Sequence, residues 1–196
     1  MNSEHLSEKQ GGIRAIKELI TSPSATAELK ATQFSHVLSL ALKNNTDFQL
    51  LELIANTLGH MAKHAPVSQV ESVEAELIRS LDWLRGNIHH RRLAACAVLH
   101  QLAENAPTIF FVRCKEFFEL IWGPLRDPKE AIRLCAARAL SSSLSALEQR
   151  TYHLQWYCFV YDQVVLFFFE LLLTIFHRFL LGLIKELLKQ FMVPCL

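Results

Sequence analysis

The dipeptide Ala-Pro stands at Ala65–Pro66 and again at Ala106–Pro107, 41 residues on, and the residues in front of it recur with the same offset. Leu58 falls on Leu99, Met61 on Leu102 and Ala62 on Ala103; one more step carries Arg92 to Arg133, Leu93 to Leu134 and Leu99 to Leu140. The segments that precede these match less strictly, with Leu77 on Phe118, Leu81 on Trp122 and Leu84 on Leu125. A fourth copy, GGIRAIKELI, fits upstream at an offset nearer 39, which sets Ile16 on Ala55 and Leu19 on Leu58. A recurrence of this length is too long for a heptad and too short for a domain, so it describes one supersecondary unit used several times.

Within each copy the apolar residues return at three- and four-residue intervals, the period of an α-helix, and no segment alternates as a strand does. The pattern predicts helices over Gly12–Thr21, Ala31–Lys43, Phe48–His64, Val70–Leu84, His90–Asn105, Thr108–Trp122, Lys129–Leu147 and Val164–Phe191. The breaks carry Pro23, Asn44–Asn45, Pro66, Gly86–Asn87, Pro107 and the turn from Pro124 to Pro128. A two-helix unit of about 40 residues cannot bury its apolar face alone, and stacking its neighbours supplies the core. The expected fold is therefore all-α, a HEAT/armadillo-like α-solenoid of about four helical hairpin repeats. Residues 1–10 read as a lead-in, 11–147 as repeats, 148–163 as a connector and 164–196 as an apolar amphipathic tail.

In IHHRRLAACAVLHQLAENAP, Ile88 to Pro107, the positions from Leu93 to Leu99 are apolar without a break. Such a run suits an inner helix packed on several sides, not a surface helix. Ala94, Ala95, Cys96 and Ala97 let a neighbour approach, and the next copy repeats the small residues at Cys135, Ala136, Ala137 and Ala139. Arg92 and Arg133 share one repeat position, and Asp127 opens the turn before the second. An arginine there suits a bond to an aspartate or carbonyl of the adjoining repeat, and Asp127 suits a helix cap, where a carboxylate meets free N–H groups and the positive end of the dipole. These three residues, Asp127, Arg92 and Arg133, form the expected structural ladder and cap.

No constellation for catalysis emerges, and no cofactor or metal is expected. His60 and His64 in HMAKH have the i, i+4 spacing of a zinc helix, but Met61 stands where a zinc protease needs its glutamate. A metal-dependent hydrolase built on them is the weakest of three functional readings. His89 and His90 belong to a turn, with no third ligand in reach. Five cysteines, never two residues apart, fit a reduced compartment better than a disulfide framework or a zinc site. The net charge is +1 with 20 basic residues spread along the chain, which leaves no footprint for nucleic acid. The first twenty residues lack the apolar core of a secretory signal.

The run SLDWLRGN, then HHRRLAACAVLHQLAENAPTIFF, DPKEAIRLCAARAL and finally QWY at Gln155–Tyr157 resembles the N-terminal HEAT solenoid of the target-of-rapamycin (TOR) serine/threonine protein kinases, of the phosphatidylinositol-3-kinase-related family. The resemblance covers about Ser7 to Tyr161. It implies a fragment of a very large kinase whose FAT, rapamycin-binding and kinase regions lie far downstream, so no catalytic or nucleotide-binding residue carries over to this sequence. It also implies protein partners: a scaffold subunit of Raptor type and, in the parent, self-association. The expected function is a non-catalytic scaffold segment in growth and nutrient signalling, cytoplasmic with endomembrane contact. The alternative is a free-standing HEAT adaptor held at a membrane by its C-terminal helix.

The final 33 residues, from Val164, depart from the family. Their longest uninterrupted apolar run is six residues, Val164 to Phe169, short of a membrane span. They read first as an extension foreign to the family, from an incomplete or mis-spliced gene model. A packed or membrane-surface helix is the second reading and a true span the third, so membrane contact is expected only through 164–196.

Overall fold

The computed structural model describes residues 3–22, 27–65, 70–148, 159–174 and 176, and among these no strand occurs. The helices are α1 (Ser3–Thr21), α2 (Ala27–Asn44), α3 (Phe48–His64), α4 (Val70–Arg85), α5 (His89–Asn105), α6 (Pro107–Val112), α7 (Cys114–Leu120), α8 (Trp122–Leu125) and α9 (Glu130–Glu148). The fold is all-α. Phe48, His89 and Glu130 head α3, α5 and α9, and each follows the last by the 41 residues of the sequence repeat.

Residues up to Thr151 form one compact unit. In it α1 packs on α3, α3 on α5 and α5 on α9, a layer of every other hairpin arm, while α2, α4 and α6–α8 form a second layer against it. The core lies between the layers. Leu50, Leu51, Ile54, Leu77, Leu81 and Leu99 are fully buried there, joined by Phe110, Phe117 and Phe118. Every residue from Leu93 to Leu99 is buried, because α5 is touched by α3, α4 and α9 at once. A helix enclosed on three sides has no polar stripe to show, which is why its sequence lacks one.

Local differences from the sequence-based spans have physical causes. Helix α1 begins at Ser3, inside the stretch read as lead-in, because SEHLSEKQ is rich in good helix formers though it has no apolar period. The single helix expected over Thr108–Trp122 is three short ones. Pro107 opens α6 at the first helical position, where its missing N–H is not needed. Pro124 cannot donate to the carbonyl of Leu120 and crowds it, and α7 ends at Leu120. The break at Arg113, with φ −116° and ψ 17°, has no such mark in the sequence. It accompanies edge-to-face packing of Phe110 on Phe117, ring centroids 5.2 Å apart.

Residues 152–196 form a second compact unit, whose described part is a helix over residues 159–174 that starts before the expected Val164. Leu166, Phe168, Phe169, Leu172, Leu173 and Phe176 are exposed on it. No helix among the described residues is long and apolar enough to cross a membrane. The QWY segment, Pro23, Pro66 and the tail beyond Phe176 lie outside the described residues.

Candidate functional site

The three residues of the expected ladder meet where α5 and α9 begin. The Arg92 guanidinium donates from Nη2 to the carbonyl of Gly86 at 2.7 Å and from Nη1 to Oδ2 of Asp127. The first bond closes its own leading turn; the second reaches the next repeat. Asp127 has a fully buried side chain, and its Oδ1 accepts from the backbone N–H of Lys129 at 3.0 Å, fixing the turn that leads into α9. His89 Nδ1 lies 3.5 Å from the same oxygen. Burial alone would raise the Asp127 pKa, but the Lys129 N–H and the Arg92 guanidinium outweigh it and hold the carboxyl below the usual range.

Arg133 stands one repeat on and makes the bonds that mirror the first half of this arrangement. Its Nη1 donates to the carbonyls of Asp127 and Pro128, both at 2.9 Å, as Arg92 does to Gly86. Its printed partners are thus backbone carbonyls of its own leading turn, and its side chain lies in an exposed residue. The difference follows from the repeat. The position that would answer Asp127 one unit later is Phe168, which carries no acceptor.

The same offset explains the exposure of α9. Leu93 on α5 is 7% exposed because α9 lies against it, whereas its counterpart Leu134 on α9 is 54% exposed. Cys96 is buried, and its counterpart Ala137 is exposed. The face of α9 that corresponds to the docking face of α5 stands open.

A second polar link escaped the sequence reading. Glu76, on α4, is 4% exposed; it accepts from the Ser39 hydroxyl of α2 and pairs with Arg79 one turn on. Arg79 lies over the Trp83 ring, 5.4 Å from its centroid, and burial lowers the guanidinium pKa. The i, i+3 spacing of Glu76 and Arg79 was the visible signal, but it is also the commonest pattern of a solvated helix face. Gly59 is another hidden contact: a Cβ there would lie 2.8 Å from Cβ of Gln101, so α3 and α5 approach as closely as glycine allows.

His60 and His64 stack edge-to-face at 4.7 Å on the last turns of α3. Burial, then the neighbouring His64 and Lys17 charges, lower the pKa of His60. Among the described residues no group of three or more His, Cys, Asp or Glu side chains could hold a metal ion. Cys96, Cys114 and Cys135 are free and buried. Burial pushes the Cys135 thiol up to about 12 and Cys96 well above its ordinary value, so neither is a ready nucleophile at neutral pH.

The free face of the α1–α3–α5–α9 layer holds a depression of about 480 Å³, lined among others by Arg14, Gln49, Glu52, Asn56, Gln101 and Arg138. A second hollow of about 340 Å³ continues from it past His100 and Arg138 toward Ser141 and Ser145. Small side chains form part of the floor, Ala55, Ala97 and Cys135. The arrangement offers hydrogen-bonding and charged groups over a length of surface rather than a reaction centre.

No family model matches the chain. It is similar to the serine/threonine-protein kinase tor1 of Schizosaccharomyces pombe, 36% identical over 160 residues that make up 81% of this chain and 7% of that protein. It is 34% identical to the serine/threonine-protein kinase TOR of Oryza sativa subsp. japonica, over 80% of this chain and 6% of the relative. To the serine/threonine-protein kinase mTor of Drosophila melanogaster it is 32% identical, over 83% of this chain and 7% of the relative. The chain spans less than a tenth of the length of these relatives.

Proposed function

We propose that this chain, homologous over about four-fifths of its length to a short stretch of the TOR serine/threonine-protein kinases, is a non-catalytic HEAT-repeat scaffold segment of a TOR-like kinase. In this reading it corresponds to the N-terminal solenoid, contributes to assembly of the kinase complex, and receives a Raptor-type scaffold subunit. The observation that carries the reading is the open face of α9. Leu134 and Ala137 are placed as Leu93 and Cys96 are on α5, yet they lack the cover that α9 gives α5. An apolar end of this kind suits one stretch of a longer stack better than an isolated body, because a terminal repeat of a solenoid carries a polar outer face.

A graft tests the reading. Residues 7–161 of this chain replace the aligned stretch of the Schizosaccharomyces pombe tor1 kinase. The chimera is expected to be stable, to co-purify its Raptor-type subunit and to support growth. A stable chimera that fails to assemble would count against the reading. The second reading, a free-standing adaptor held at a membrane, draws on the exposed apolar side chains of the helix over residues 159–174.

A further inference from the structure

We infer that the free face of the α1–α3–α5–α9 layer is a docking groove for an extended acidic peptide, with Arg14 and Arg138 as the two anchors for its carboxylates. The inference deepens the scaffold reading by naming a partner surface and its chemistry.

Three features argue for a peptide. The two hollows are continuous, since His100 and Arg138 line both, so the groove crosses all four helices of the layer. Helices packed at about 8–10 Å separation place the outer two about 25–30 Å apart, which an extended chain rising about 3.3 Å per residue crosses in about eight or nine residues. The walls carry side-chain amides from successive arms: Gln10 on α1, Gln49 and Asn56 on α3, and Gln101 on α5. An amide both donates and accepts, and so matches the alternating N–H and C=O groups of an extended backbone whatever its side chains are.

The charge selects the sign. Arg14 is exposed, lines the groove and has no ion pair among the described residues. Arg138 is paired with Glu52, Nη1 to Oε1 at 2.7 Å, in a bond that links α3 to α9 at the level of Ala97. Both members of that pair are about half exposed, 53% and 48%. An ion pair held in water contributes little, so an incoming carboxylate exchanges for Glu52 at small cost. Glu52 is already answered by Arg138, whereas Arg14 is not answered, and the groove therefore has a cation to offer and no free anion of its own at that level.

The test uses the full chain and two fluorescein-labelled pools of nonapeptides, each degenerate in Ala, Ser and Gln, one with glutamate fixed at two positions and the other with lysine. Fluorescence anisotropy should show saturable binding of the glutamate pool, weakened by salt, and none of the lysine pool. Arg14→Glu and Arg138→Glu should each weaken binding by about tenfold or more, as expected for loss of a charge-assisted contact with repulsion added. Arg14→Gln should give a smaller loss in the same direction. Lys43→Glu changes the net charge equally but lies at the end of α2, away from the groove, and should leave binding unchanged. Equal binding of both pools, or equal weakening by Lys43→Glu, would overturn the inference. No binding by either pool would also overturn it, and because the probes are free peptides that result leaves the graft experiment on the scaffold reading undecided by it.

Discussion

Replacing Asp127 by alanine removes the carboxylate that joins the leading turn of α9 to Arg92 of the repeat before. The loss has two parts. A charge-assisted hydrogen bond at a buried site contributes about 1.5–3 kcal/mol, and the bond to the Lys129 N–H, of capping type, about 1 kcal/mol more. Arg92 keeps its bond to the Gly86 carbonyl and is 14% exposed, so the orphaned guanidinium retains some solvation. The expected cost is about 3 kcal/mol. With a urea dependence of about 2 kcal/mol/M for a unit of this size, the denaturation midpoint falls by about 1.5 M at unchanged slope. Arg92→Ala strands the buried carboxylate instead and costs about 3–4 kcal/mol. The double mutant should show a coupling of about 2 kcal/mol. Arg133→Ala, which gives up two carbonyl bonds at an exposed residue, should cost less than about 1 kcal/mol. The acid limb supplies an independent check. Because folding lowers the Asp127 pKa, its stabilisation is complete above the ordinary value of 3.8 and fades as pH falls through the lower folded value. Asp127→Asn should flatten that part of the profile. Equal midpoint shifts for Arg92→Ala and Arg133→Ala, or an unchanged midpoint for Asp127→Ala, would refute the reasoning.

Two glycines in helices should respond to alanine with opposite signs. Gly59→Ala drives a Cβ into Gln101 and should destabilise by about 1–2 kcal/mol after its helix-propensity gain is counted, whereas Gly12, with nothing within 4 Å, should stabilise by about 0.5–1 kcal/mol; urea melts decide both. Iodoacetamide labelling at neutral pH, mapped by mass spectrometry, should leave Cys96 and Cys135 unmodified in the folded chain and modify both in urea; fast native labelling of Cys135 would contradict its burial. A chain ending at Asp162 should lose binding to detergent and lipid vesicles but keep its melting temperature. A lower melting temperature and more aggregation on truncation would mean that the tail protects the last repeat.

The repeat was legible because stacking imposes it: Phe48, His89 and Glu130 head equivalent helices since each occupies the same place in the layer. The enclosed position of α5 was legible for the same reason, as a run from Leu93 to Leu99 without a polar residue can only be buried. The division of α6, α7 and α8 was half visible. Pro124 marks one break, but the one at Arg113 arises from aromatic packing between Phe110 and Phe117, which no local pattern records. Of the ladder, the equivalence of Arg92 and Arg133 was visible and their differing partners were not. What distinguishes them is the presence of Asp127 after one and of Phe168 after the other, a property of the following repeat and not of the arginine. The groove was invisible for a related reason. Arg14, Asn56, Gln101 and Arg138 lie on four helices, and each taken alone is an ordinary polar residue on a helix face.

The scaffold reading is tested most directly by sedimentation velocity on the purified full chain mixed with the purified Raptor-type subunit of a TOR complex, absorbance-labelled so that each component is followed separately. The account predicts a faster boundary that contains both proteins in a fixed ratio at micromolar concentration. It also predicts that the complex persists when the Arg92–Asp127 link is intact and weakens in Asp127→Ala, whose leading turn of α9 is released. Independent sedimentation of the two proteins, with a chain shown by circular dichroism to be folded and helical, would contradict it.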